Sequence, residues 1–305
     1  MFRATLAAFA ILLTAVPAAQ AVERTRLGFG NLLTNDFVDG GADRWRTGSY
    51  TTSRVWGPTW TGVAPEGFGD LLELRIQGEI ISPENIRTPD AGDRLYAGAL
   101  SIGLHTHMQR GAVEYAVGGD LVFVGPQTGL DGFQAALHDL LNISEPSSAV
   151  RDAQIDNTIR PTLVVEAGRA IQLSDRSALR PFVEGRAGVE TLARIGVDWT
   201  FGSLGQGELL ARDPVAGQRY RVITQDWTGY SFTLGADVAY VDSSVFLPDD
   251  RGPALDSTRE RVRAGIMWQG ESGFSSFAGV TYLGEEFEGQ DEVQFVGSFK
   301  ILLGF

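Results

Sequence analysis

The sequence predicts an all-β protein: an antiparallel transmembrane β-barrel of about twelve strands, with one short helix in an extracellular connection. Three observations carry that expectation. Apolar residues recur with period two along most of the chain. No stretch beyond Val22 approaches the ~20 consecutive apolar residues of a helical span. The chain also opens with a segment suited to export.

That segment, "MFRATLAAFAILLTAVPAAQA", places a cation at Arg3 before an apolar run from Leu6 to Val16, followed by Pro17 and small residues at Ala19 and Ala21. These are the parts of a secretory signal, so residues 1–21 are expected to be removed and residues 22–305 to form one outer-membrane barrel domain. With no Cys, disulfides do not stabilise the exported chain, and a barrel closed by backbone hydrogen bonds needs none. A net charge of -13 argues against nucleic acid as a partner and leaves carboxylates for a divalent cation.

The strands fall near residues 25–33, 47–56, 70–80, 94–105, 111–123, 157–170, 179–189, 192–201, 229–241, 259–268, 274–282 and 293–305. In the ninth, Tyr230, Phe232, Leu234, Ala236, Val238 and Tyr240 alternate with Ser231, Thr233, Gly235, Asp237 and Ala239. One face suits lipid and the other a polar lumen, whereas a soluble sandwich seldom sets so many small and charged residues opposite large aromatics. The last strand ends on Phe305, which resembles the terminal signal read by the outer-membrane assembly machinery. Connections after odd strands then lie outside: residues 34–46, 81–93, 124–156, 242–258 and 283–292. The tight "MQRG", "SDRSA" and "QGESG" fall on the periplasmic side, where short turns belong. Residues 202–228 break that rule as a long periplasmic excursion of no evident function, and a further strand pair is open there.

Within the longest outward connection, "LDGFQAALHDLLN" reads as an amphipathic helix with Phe133, Ala136, Leu137, Leu140 and Leu141 on its apolar face. It carries His138, either a satisfied rim histidine or a general base working near neutral pH. In "TNDFVDGGADRWRTGSY", Asn35 and Asp36 end the first strand and Thr47 begins the second, so a hairpin brings them together at the rim of His138. Asn and Asp are ordinary turn formers. Together with Thr47 they also offer a carboxylate for a cation, an amide donor for an oxyanion and a hydroxyl to orient water.

"NLLTND" followed by "DRWRTG", then "GDRLYAGAL", "DLVFVGPQTGLDGFQAALHDLL" and "QIDN" resemble, in the same order, the outer-membrane lipid A 3'-O-deacylases, over most of the mature chain. The resemblance implies an outer-membrane hydrolase that removes a 3'-linked acyl (acyloxyacyl) chain from lipid A of the outer leaflet, with calcium as cofactor. Carried over, the family's site becomes Asn35, Asp36, Thr47, His138 and Glu145, with Asp36 and Glu145 holding the metal. Glu145 stands seven residues after His138, one more than the family's spacing, and Asn142 stands where the family often has Gly. His138 would activate the attacking water. The chain is expected to act as a monomer in the bacterial outer membrane, its site facing the cell exterior.

Arg44, Arg46, Arg54 and Arg87, on or near outward connections, are candidates for the phosphates of lipid A. His105 and His107 share a strand face by period two and could chelate a metal, but parity puts them at the periplasmic rim, where a structural role is expected. Two alternatives remain open: a serine-type phospholipase using Ser49 or Ser53, although no Gly-x-Ser-x-Gly elbow occurs, and a non-catalytic pore or adhesin whose inward Arg and Glu residues could plug the lumen.

Overall fold

The computed structural model describes residues 24–38, 43–90 and 92–302. The expected signal segment and the terminal Phe305 lie outside the described residues. Fifteen strands occur: β1 Thr25–Asn35, β2 Trp45–Gly57, β3 Leu71–Ser82, β4 Ala97–Arg110, β5 Val113–Val124, β6 Thr158–Gly168, β7 Ile171–Ser174, β8 Ser177–Ala187, β9 Glu190–Gly202, β10 Leu209–Arg212, β11 Arg219–Ile223, β12 Gly229–Ser244, β13 Thr258–Gln269, β14 Ser275–Leu283 and β15 Gln294–Leu302. Twelve of them close one antiparallel barrel. The sheet runs from β6 back to β1, pairs β1 with β15, returns through β14, β13, β12 and β9 to β8, and closes where β8 pairs with β6.

Each expected strand is present. Alternation also sets the two faces as the sequence implied: on β12, Tyr230, Phe232 and Leu234 point outward while Ser231 and Asp237 are buried in the lumen. On β3, Glu73 is fully buried and Ile76 is exposed. The sixth strand is interrupted: β6 stops at Gly168, and β7 extends the hairpin by pairing with β8 alone.

The excursion that broke the short-turn rule folds into the barrel. β10 and β11 form a separate two-stranded hairpin whose apolar residues Leu209, Leu210, Ala211, Tyr220, Val222 and Ile223 pack on Leu32, Val55, Leu71, Met267 and Phe277 of the inner wall. Its tip is an Asx turn, in which the Asp213 carboxylate accepts from the amides of Val215 and Ala216 and from the Thr51 hydroxyl. β1 makes room with glycine. A Cβ on Gly30 would stand 2.7 Å from the carbonyl oxygen of Arg221, and one on Gly28 would overlap the carbonyl of Val222. Close backbone approach of this kind is what glycine permits inside a strand.

Candidate active site at the outer rim

Local backbone chemistry sets the helix. Gly125 has φ 96, and a Cβ there would lie 2.7 Å from the carbonyl of Ile155, so the Gly-Pro turn and the "QIDN" run are packed against each other. Gln127 N–H donates to Asn157 Oδ1 at 2.7 Å and Ile155 N–H to the Tyr96 carbonyl at 2.9 Å. The pieces quoted from "GDRLYAGAL", "VGPQTG" and "QIDN" are therefore one packing unit. The helix follows over Leu130–Leu141 and ends at Asn142 in the left-handed region, φ 56, a position that favours Gly or Asn and accounts for either residue there.

Phe133, Leu137, Leu140 and Leu141 are exposed, whereas Gln134, Ala135 and His138 are buried. A helix on a soluble core turns its apolar stripe inward. This one turns its polar stripe to the barrel and its apolar stripe away, as an element lying in a membrane interface does.

His138 is held at both ring nitrogens. Nδ1 lies 2.6 Å from the Ser144 carbonyl oxygen, so Nδ1 carries a proton and donates it. Nε2 lies 3.1 Å from Oδ2 of Asp43 in the first outward connection. Burial raises the Asp43 carboxyl above its ordinary range, and the adjacent imidazole opposes that rise. Next along the chain, the Arg44 amide donates to Asp36 Oδ2 at 2.8 Å. Asp36 is buried at the start of a 3-10 turn, Asp36–Val38. Asn35 accepts from the Phe37 amide at 3.0 Å and donates through Nδ2 to the Thr47 carbonyl at 2.9 Å. The predicted Asn35, Asp36 and Thr47 are thus gathered in one connection and reach His138 through Asp43. Trp45, between them, has φ 48 and packs edge-on against Phe287 at 6.4 Å. A buried aromatic in this sparsely populated region marks a turn that its surroundings enforce.

Glu145 is not joined to that group: its side chain is exposed and makes no hydrogen bond or ion pair among the described residues. No cluster of three or more His, Cys, Asp or Glu side chains able to hold a metal occurs among them. The oxygen chemistry nevertheless suits a hard cation. Asp36 supplies a buried carboxylate, and the buried Thr47 Oγ1 has no hydrogen-bond partner.

Two of the four candidate arginines are corrected. Arg46 is buried inside the lumen against Glu79 at 2.6 Å and Glu286 at 2.9 Å, so it cannot meet a lipid phosphate. Arg54 lies near the far end of β2, paired in register with Phe29 and Leu74 and exposed on the outer face, away from the outer rim. Arg44 reaches Glu292 at 2.7 Å and Arg87 is exposed, both on outward connections. His105 and His107 hold Asp120 at 3.0 Å and Glu73 at 2.6 Å inside the barrel, a structural role as expected. Ser53 is tied to Glu73 and Tyr220, and Ser49 is buried with no hydrogen-bond partner for its hydroxyl; neither meets a histidine among the described contacts.

Sequence reasoning missed three residues. Asp43 lay within "DRWRTG" but offered no periodicity to single it out. Gln134 stands one turn before His138, on the same face, with its Nε2 buried and unpartnered; that spacing could have found it. Tyr96 donates to Gln134 Oε1 at 3.0 Å, and burial, with Asp131 and Asp43 nearby, pushes its hydroxyl well above the usual tyrosine range.

A family model described as outer membrane protein LpxR matches residues 6–305. Among solved structures, LpxR from Salmonella typhimurium superposes with a TM-score of 0.75 at 19% identity, covering 91% of this chain and 100% of that one, a likeness of fold. The β domain of the Bordetella autotransporter BrkA gives a TM-score of 0.42 at 10% identity over 91% of this chain and 99% of that one. The translocator domain of NalP from Neisseria meningitidis gives 0.41 at 9% identity over 99% and 96%. No curated protein matches.

Proposed function

The chain belongs to the outer membrane protein LpxR family, the lipid A deacylases its motifs resemble, and on that premise we propose that it removes a 3'-linked acyl (acyloxyacyl) chain from lipid A with water activated by His138. One observation supports this reading above the rest: His138 meets the connection carrying Asn35, Asp36 and Thr47 across 3.1 Å, directly beside an exposed apolar helix face.

With Nδ1 anchored on Ser144, the nitrogen left to take a proton is Nε2. Water entering beside Asp43 gives its proton to Nε2, and its oxygen attacks the ester carbonyl. The acyl carbon–oxygen bond breaks, the imidazolium returns the proton to the leaving alkoxide, and free fatty acid and alcohol result. Asp43 faces the transient imidazolium and stabilises it. The free N–H of Gln134 and the amide of Asn35 are donors for the developing oxyanion, and Thr47 orients water. Asp36, with the Thr47 hydroxyl and backbone carbonyls, would hold a calcium ion, whose chemistry when bound is to polarise the carbonyl, and the exposed Glu145 would have to turn toward Asp36 to join them. The exposed leucines of the helix keep this chemistry level with the acyl esters of the outer leaflet, and one barrel, delivered by the assembly machinery, suffices as a monomer.

The test is the mass of lipid A after incubation with the detergent-solubilised protein and calcium. Loss of one 3'-linked acyl chain, abolished by EDTA, is expected. Unchanged lipid A in calcium overturns the reading, and labelling by a fluorophosphonate probe replaces it with a serine-type enzyme.

A further inference from the structure

The lower lumen holds a second feature, independent of the deacylase reading. Between the β10–β11 hairpin and the wall formed by β4 to β9 lies a cavity of about 320 Å³, far above the roughly 30 Å³ share of one liquid water. Trp60, Val63, Gln109 and Gln172 line its mouth, all on or beside the periplasmic connections, and Arg180, Arg212 and Arg219 line its interior. The carboxylates beside them are already engaged. Glu166 bridges Arg180 and Arg212, each at 2.7 Å, Glu114 holds Arg180 at 2.7 Å, and Asp198 holds Arg212 at 2.7 Å as well as Arg263.

Following the ion pairs outward gives a connected network. Arg180, Arg212, Arg263, Arg261, Arg194 and Arg186 are linked through Glu114, Glu166, Asp198, Asp237 and Glu184, six guanidiniums to five carboxylates. The side chain of Arg219, opposite Arg212 in the hairpin, makes no hydrogen bond or ion pair with any described residue, which brings the count to seven against five. Asp198 and Glu114 lie near Arg219 but are occupied by the other arginines. Within this network, then, guanidiniums outnumber their carboxylate partners, and the Arg219 side chain is the one left without any, facing the cavity. Excess charge in a confined interior is costly unless a counterion or trapped water offsets it, and guanidiniums favour tetrahedral oxyanions because their paired N–H groups match two oxygens at once.

We propose that this periplasm-facing chamber is a binding site for a small doubly charged oxyanion of the phosphate or sulfate class, with Arg219 as its principal ligand and the network's excess charge as its counterpart. The site lies inside the barrel, separate from the chemistry at the outer rim, and the anion completes the electrostatics of the hairpin.

Titration calorimetry of the full-length detergent-solubilised protein with inorganic phosphate, and separately with sodium sulfate, tests this at constant ionic strength set by chloride. One saturable site is expected, with affinity at least tenfold weaker in Arg219→Gln and largely retained in Arg219→Lys. Thermal unfolding gives an opposite-sign signature. Without oxyanion, Arg219→Gln should melt at or above the wild type, because a repelling charge has gone; with phosphate, only the wild type and Arg219→Lys should gain stability. Absence of saturable binding in the wild type overturns the proposal, as does equal binding by Arg219→Gln or a lower anion-free melting point for that variant.

Discussion

The outer end of the lumen and its lower half are built from the same residue types to opposite effect. At the outer end, Arg46, Arg94 and Arg259 meet Glu79, Glu190 and Glu286, three charges against three, in a closed set of ion pairs. In the lower half, the ion-paired network beside the chamber, taken with Arg219, sets seven guanidiniums against five carboxylates. The balanced set forms a neutral floor beneath the connections that carry His138 and Asp36, so their placement rests on packing and hydrogen bonds rather than on a net field. The unbalanced set holds a hairpin with no chemistry assigned to it and leaves a field that an anion can answer.

If the two ends are separate, the largest kinetic effect belongs to the rim. His138→Ala should lower lipid A deacylation by about 10² to 10⁴ while the barrel's melting behaviour is kept. Product mass and circular dichroism on one preparation check both parts. A comparable kinetic loss from Arg212→Gln, deep in the hairpin, would show that the ends are coupled and would break the comparison.

Arg46→Ala comes next. It removes one of three cations from the neutral set, leaving Glu79 buried without its ion-pair partner while Glu286 keeps Arg94 and Arg259, a loss of about 3–5 kcal/mol for breaking a buried pair. Urea unfolding of the reconstituted protein measures it. A cost near zero would mean that water, rather than packing, already screens the floor. Gly28→Val should cost less, about 1–3 kcal/mol for overpacking against the Val222 carbonyl. It should also displace the hairpin, so the variant is expected to conduct ions in planar bilayers where the parent chain does not.

The contrast also explains what the sequence could disclose. Twelve spanning strands were legible because each repeats the two-residue period for 9 to 16 residues. The rim helix was legible because Phe133, Leu137, Leu140 and Leu141 mark one helical face. β10 and β11 are only 4 and 5 residues long, too short for the two-residue period to single them out, and the Glu166 partner of Arg212 stands on a distant strand, β6. Arg46 and Arg54 were misplaced for a related reason: alternation gives the face of a strand residue, while its depth and its pairing follow from register. Among the site residues, Asn35, Asp36, Thr47 and His138 were readable from motif order, whereas Asp43 emerges only when two connections distant in sequence meet.

Asp43→Asn is the smallest expected effect and the finest probe of the rim. Its carboxyl is raised above the ordinary 3.8, chiefly by burial, so the folded protein binds that proton more tightly than the unfolded chain does. The resulting stabilisation is complete below 3.8 and is lost as pH climbs through the raised native value. Asn has no proton to lose there. The melting temperature of Asp43→Asn relative to the wild type should therefore rise with pH across that window and level off above it. A difference that stays flat would mean that the neighbouring imidazole offsets the burial of the Asp43 carboxylate in full. A rising difference makes burial the stronger influence on Asp43 and leaves an ionised carboxylate beside Nε2 above that window, placed to stabilise the imidazolium that proton transfer creates.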